Sequence, residues 1–156
     1  MILRNVISLA ILIIVVLGGC DRYRHYDQYR TMPSEAWHKD SIKTFEFQIT
    51  DSLVIYNMFL NIRNTGRYPY SNLIVFVDTK MPGNKTLRDT LNCFLADDSG
   101  DWLGSGFGSI WTSKVPYKVQ VRFPRNGKYK VKLQHGMRKE DLPGITDIGI
   151  RIEKSH

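Results

Sequence analysis

Cysteine, histidine and helical periodicity are all scarce in this 156-residue chain. Two cysteines are too few for the disulfide framework that holds many small exported domains. The four histidines show no metal-ligand spacing: His25 follows closely on an apolar leader, His156 ends the chain, and His38 and His135 stand alone. The Gly-x-Ser-x-Gly elbow is missing, and no nucleophile and base can be paired from their spacing. The one long apolar run, residues 6–17, is interrupted only by Ser8 and is too short to cross a bilayer comfortably as a helix. No repeat, low-complexity tract or second domain is visible. The expectation is therefore no enzyme, with no catalytic residues, no metal and no cofactor.

What the chain does have is a period of two. From residue 42 onward, "IKTFEFQI" (42–49), "LVIYNMFLNIRN" (53–64), "NLIVFVDT" (72–79), "TLNCFLAD" (90–97), "YKVQVRF" (117–123), "KYKVKLQ" (128–134) and "DIGIRIE" (147–153) alternate apolar with polar. Such alternation builds a strand with one buried and one wet face. Val119, Val121 and Phe123 alternate with Lys118, Gln120 and Arg122; Tyr129, Val131 and Leu133 alternate with three lysines. Turn signals at 64–66, 82–84, 99–100, 124–127 and 143–144 separate the runs. Asn126-Gly127 predicts a hairpin joining the strands at 117–123 and 128–134. "MRKEDL" (137–142) reads as a single helical turn stopped by Pro143. The expected fold is all-β, a single antiparallel β-sandwich, immunoglobulin-like or jelly-roll-like, behind an N-terminal lipoprotein signal and a short tether.

The front end reads as an address label. Arg4 supplies a positive region, the apolar run follows, and Leu17-Gly18-Gly19-Cys20 resembles the bacterial lipobox, in which the cysteine becomes the lipid-bearing N-terminus. The expected division is a signal peptide over 1–19, lipidated Cys20 with a tether over 20–40, and the sandwich over 41–156. Acyl chains of the palmitate kind on Cys20, the one covalent lipid expected, suffice for stable anchoring in a membrane. Cys93 is then unpaired; it shares a strand face with Leu91 and Leu95, so a buried, inert thiol is expected.

The chain carries a net charge of +7, and without Arg4 it has 21 basic and 15 acidic residues, a charge of +6. An exported chain with dispersed cations is a poor match to nucleic acid. Arg22, Arg24 and Arg30 lie among Tyr23, Tyr26 and Tyr29. That suits either a tether against lipid headgroups or a solvated linker.

Three stretches are candidate sites. In "DDSGDWLGSGFGS" (97–109), Asp97, Asp98 and Asp101 can offer oxygens to calcium, but EF-hand spacing is broken and an acidic turn is the plainer reading. Gly104, Gly106 and Gly108 lack the strand-and-helix setting of a dinucleotide cradle; they suit a kinked strand with close backbone approach. Trp102, Phe107 and Trp111 can stack on a sugar or peptide, or pack a core. "RNTGRYPYSNL" (63–73) gathers Arg63, Arg67, Tyr68, Pro69 and Tyr70, residue types that dominate binding surfaces, although a crossover stapled by its tyrosines fits equally.

Trp37 precedes "F-x-F-x-I-x-D" (45–51), and "Y-N-x-F-x-x-x-R-N" follows at 56–64, then "Y-P-Y-S-N-L" at 68–73. Asp89-Thr90-Leu91, "L-A-D-x-x-G-x-W-L-G" at 95–104, "P-x-x-G-x-Y" at 124–129, "M-R" at 137–138, Leu142 with Gly144, and "D-I-G-I-R-I-E" at 147–153 complete an ordered set. As a set, together with the lipobox, these resemble the gliding-motility lipoproteins of the GldH type. The resemblance implies a membrane-anchored, non-enzymatic component needed for gliding over surfaces. It also implies partners among other gliding lipoproteins and the type IX secretion machinery of the cell envelope. In such lineages an acidic run after the cysteine directs lipoproteins to the cell surface, and "CDRYRHYD" lacks one, which implies a periplasm-facing position with the choice of inner or outer membrane open. The first alternative is a carbohydrate-binding envelope lipoprotein using the aromatics of 102–111, the second an envelope hydrolase.

Overall fold

A computed structural model describes residues 21–155; the expected signal peptide over 1–19, the expected lipidation site Cys20 and His156 lie outside the described residues. Eleven strands follow one another: β1 (Arg24–Thr31), β2 (Ala36–His38), β3 (Lys43–Ile49), β4 (Tyr56–Thr65), β5 (Asn72–Lys80), β6 (Thr86–Phe94), β7 (Ser105–Phe107), β8 (Ile110–Val121), β9 (Gly127–His135), β10 (Asp141–Pro143) and β11 (Ile145–Lys154). No α-helix occurs among the described residues.

All pairings are antiparallel. One sheet has the order β1-β11-β4-β8-β7, a second β3-β9-β5-β6, and β10-β2 forms a separate ribbon. The alternation read in the sequence fills the space between the two larger sheets. Met58, Leu60 and Ile62 of β4 and Ile148, Ile150 and Ile152 of β11 are buried, as are Phe45, Phe47 and Ile49 of β3, Leu73, Val75 and Val77 of β5, and Val131 and Leu133 of β9. Each fully buried side chain of this size contributes about 1.5–3 kcal/mol by leaving water. Phe47, Tyr129, Phe123 and Tyr56 form a ring cluster that joins the sheets at one end. The fold is an antiparallel β-sandwich.

The structure differs from expectation at four places. Residues 24–31, expected as tether, form β1, paired with β11 from Arg24 opposite Glu153 to Thr31 opposite Asp147. The segment is an edge strand whose tyrosines lie half-buried: Tyr26 meets Phe47, and Tyr29 lies over Gly149, where an added Cβ would sit 3.0–3.1 Å from the ring. The strands thus reach back to Arg24, four positions after Cys20 in sequence, and Trp37 within the same stretch is fully buried, its indole N–H donating to Ser41 O at 2.9 Å.

The expected hairpin through Asn126-Gly127 is instead a crossing between sheets, because β8 pairs with β4 and β9 pairs with β3 and β5. Asn126 uses its side-chain oxygen to accept from Ser52 N–H at 2.6 Å, and Gly127, at φ +135°, packs on Pro82. In β8 the alternation breaks: a register shift opposite Tyr56–Met58, with Gln120 at φ +53°, leaves Val119 53% exposed. Residues 138–140 are bends leading into β10 rather than a helical turn.

Registers fix which loops share an end. Arg24 lies opposite Glu153, Lys154 opposite Tyr56, and Tyr56 opposite Val121, while Ile49 lies opposite Gly127 and Lys80 opposite both Lys130 and Thr86. The first described residues, the 50–55 and 122–126 loops and the β5–β6 turn therefore form one end of the sandwich. Loops 66–71, 95–104 and 136–144 form the other.

Candidate interaction surface

The two stretches singled out in the sequence, 63–73 and 102–111, are far apart in the chain but meet at the end remote from residue 21. Asn64 pairs with Trp111 and Arg63 with Thr112 across β4 and β8, and β7 folds back on β8. Gly108 occupies the first central position of the β7–β8 turn at φ +66°, as a type II′ hairpin requires. Gly104 and Gly106 allow the close approach expected of them. A Cβ at Gly106 would fall 2.8 Å from Trp111, and one at Gly104 2.8 Å from the backbone of Thr112.

Trp102 and Trp111 are half-buried, with rings 5.8 Å apart and inclined by 34°; Trp102 rests on the core. Their faces are therefore partly occupied by the protein itself. The tip of the hairpin is not: Phe107 is 96% exposed, beside exposed Ile110, and Leu103 and Phe94 on the neighbouring loop and strand are 59% and 63% exposed. Exposed apolar side chains gathered at one end, rather than scattered, mark a surface for contact. Sequence reading named Phe107 but passed over Leu103, Phe94 and Ile110. The tip Gly106-Phe107-Gly108 carries the signal for Phe107, since a ring between two turn glycines has no neighbour to cover it.

In the 63–73 stretch the two readings divide by residue. Tyr68 is buried and its hydroxyl donates to Asn72 O at 2.8 Å, while its backbone N–H donates to Thr65 O at 3.1 Å. Tyr70 packs edge-on against it at 5.6 Å. Tyr68 thus staples the crossover between the sheets, and burial pushes its hydroxyl well above the usual tyrosine range. Pro69 and Arg67 face solvent, with Arg67 ion-paired to Glu35. Arg63 is half-buried, its guanidinium 4.1 Å from the centre of the Tyr29 ring. Arg63, Phe107, Ile110, Thr112 and Asp147 line a shallow hollow of about 410 Å³ on the outer face of the five-stranded sheet.

The acidic residues of the 97–101 loop form a turn closed by their own backbone. Asp97 Oδ1 accepts from the N–H groups of Ser99 and Asp101, both at 2.9 Å, and Gly100 at φ +87° completes the turn. Asp98 and Asp101 are exposed, and no three His, Cys, Asp or Glu among the described residues are placed to hold a metal ion. The described histidines are each engaged. His25 Nε2 lies 2.8 Å from Gln48 O, His38 Nδ1 accepts from Asp40 N–H, and buried His135 has Nε2 3.2 Å from Glu140 O. Cys93 is fully buried, and burial pushes its thiol up to about 12.

One feature of the outer sheet face has no signal in sequence spacing. Arg151, largely buried, holds Asp21, Asp27 and Glu153 together, and Lys114 joins through Glu153. The three carboxylates and the guanidinium come from both ends of the chain.

The profile of the GldH lipoprotein family matches residues 24–152, from the first residue of β1 to β11. A gliding motility lipoprotein GldH homolog of Christiangramia forsetii is 43% identical, over 98% of this chain and 99% of that one. The gliding motility lipoprotein GldH of Flavobacterium johnsoniae is 40% identical, over 94% and 95%. Among solved structures, the VP2 subviral particle of infectious bursal disease virus is similar at a TM-score of 0.33 and 10% identity, covering 85% of this chain and 33% of that one. The extent and identity of the first three matches decide the family: this chain belongs to the GldH lipoproteins.

Proposed function

We propose that the chain is a non-enzymatic lipoprotein of the cell envelope, anchored by lipid on Cys20, that works by binding. It acts as a structural or assembly component of the gliding machinery and its linked type IX secretion apparatus, with other lipoproteins as partners. The observation that carries this reading is the convergence of Phe107, Ile110, Leu103 and Phe94 with exposed Arg67 and Pro69 at the end of the sandwich remote from Asp21, the first described residue. A lipidated chain presents that end away from its anchor, where a partner can reach it. Confinement to a surface turns weak contacts into effective ones. The absence of an acidic run after Cys20 favours a periplasm-facing position.

The test is mild in-cell crosslinking, capture of the tagged full-length protein and identification of what comes with it, with Cys20→Ala as the control. Enrichment of gliding or secretion lipoproteins, lost in the control, is the expected result. Recovery of the protein alone at equal expression overturns the reading.

A further inference from the structure

We infer that the end of the sandwich next to Cys20 is a docking surface for an anionic phospholipid bilayer, so that the domain stands on the membrane rather than hanging from a flexible tether; this rests on the proposed acylation of Cys20. The distance allowed by the chain is the first argument. Cys20 is one peptide bond from Asp21, and Asp21 is ion-paired to Arg151 of β11. Tyr23 O accepts from Lys154 N–H at 2.8 Å, and Arg24 already lies in β1. One peptide bond is all that separates the proposed lipid-bearing residue from the first residue the fold holds.

Charge is the second argument. Six exposed cations lie at this end: Arg22, Arg24, Lys85, Arg122, Arg125 and Lys154. Among the described residues none of the six is in an ion pair with a carboxylate. The loops that carry them are tied into one surface. Arg122 Nε donates to Leu53 O at 3.0 Å, Ser155 N–H donates to Ile55 O at 2.8 Å, and a Cβ at Gly83 would lie 3.4 Å from the Arg125 guanidinium. The carboxylates at this end are Asp21 and Glu153, both held by Arg151, and Asp51, which accepts from Leu53 N–H at 2.9 Å. A surface of this kind is attracted to anionic headgroups.

Apolar exposure is the third. Leu53, at the tip of the 50–55 loop, is 79% exposed, and Val119, put outside by the β8 irregularity, is 53% exposed. Leu53 lies beside Arg122, and Val119 precedes Arg122 by three residues, near the same end of β8; a headgroup layer can bury both while arginine and lysine heads stay at the phosphates.

The experiment uses the full-length, lipidated protein in vesicles containing a headgroup-spin-labelled lipid as quencher. One variant carries a fluorophore at Leu53→Cys, another at Leu103→Cys; both sites are exposed, and Cys93 is buried. On vesicles with about a third phosphatidylglycerol, quenching at position 53 is expected to exceed that at 103 about threefold or more, and the excess to shrink at high salt. Arg125→Glu with Lys85→Glu should shrink it too. Equal quenching at both positions while the protein stays on the vesicles overturns the docking and leaves the anchor standing. An excess unaffected by salt or charge reversal, or equal on pure phosphatidylcholine, overturns recognition of anionic lipid. Loss of the protein from vesicles of either composition overturns the anchor, and the docking with it.

Discussion

Asp21 and Arg151, 130 positions apart in sequence, are joined by an ion pair on the outer face of the five-stranded sheet. Because Arg151 also holds Asp27 of β1 at 2.6 Å and Glu153 of β11 at 2.5 Å, one guanidinium fastens the start of the domain to its last strand.

Arg151→Met is expected to lower stability by about 2 kcal/mol, since it leaves three carboxylates together at a site where only 17% of the arginine is exposed. Asp21→Asn should unfold at the same urea concentration as the parent. It should, however, exchange the amide hydrogens of Arg24 and Lys154 faster, which hydrogen-exchange mass spectrometry reads directly. Equal urea midpoints for the parent and the Arg151 variant would contradict the assignment.

Two glycines with the same backbone angle separate strain from packing. Gly100 and Gly144 both have φ +87°, but a Cβ at Gly100 meets nothing within 4 Å whereas one at Gly144 would sit 2.3 Å from Tyr68 N. Gly100→Ala is expected to cost about 1 kcal/mol through its left-handed backbone alone. Gly144→Ala must push the Tyr68 crossover away and is expected to cost about 4 kcal/mol or to prevent folding. Thermal melts of the two variants test the difference.

Burial lowers the pKa of His135 below its usual 6.5, so the folded state resists the proton that the unfolded chain accepts. Stability should therefore fall as pH drops below 6.5. The carboxylates Glu46, Asp78, Asp89 and Glu153 are held below their usual values, Glu46 at about 2, so their contributions are lost only in more acidic solution. The slope of urea midpoint against pH between 6.5 and 4.5 is expected to flatten in His135→Gln, provided the variant folds; an unchanged slope would assign it elsewhere.

Cys93 is expected to ignore a thiol reagent at neutral pH in the folded protein and to react fully in denaturant, because its thiol is buried and pushed up to about 12. A thiol titration with and without urea measures this.

The sandwich was legible wherever one face of a strand is wet. Phe45-Glu46-Phe47 and Tyr129-Lys130-Val131-Lys132-Leu133 alternate because β3 and β9 each turn a polar face to solvent. β1 was not legible. Its residues Arg24–Thr31 are polar and aromatic on both sides, and they become a strand only because Arg151, Gly149 and Phe47 stand opposite. The Asn126-Gly127 signal failed for a related reason, since the choice of sheet for β8 and β9 is made by β4 and β3, which lie far earlier in the chain. Of the candidate site, the aromatic and arginine stretches were visible singly, but their meeting depends on the Asn64–Trp111 register, which no local pattern encodes.

The most direct test of the account is in-cell photocrosslinking from single positions of the full-length protein. A photoreactive phenylalanine replaces Phe107, Val119 or Lys132 in turn, three exposed sites at the far end, the end next to residue 21 and a flank. The account predicts a discrete protein adduct from position 107, and none from 119, where the bilayer takes the contact. Adducts from 119 or 132 with none from 107, at equal expression, would contradict it.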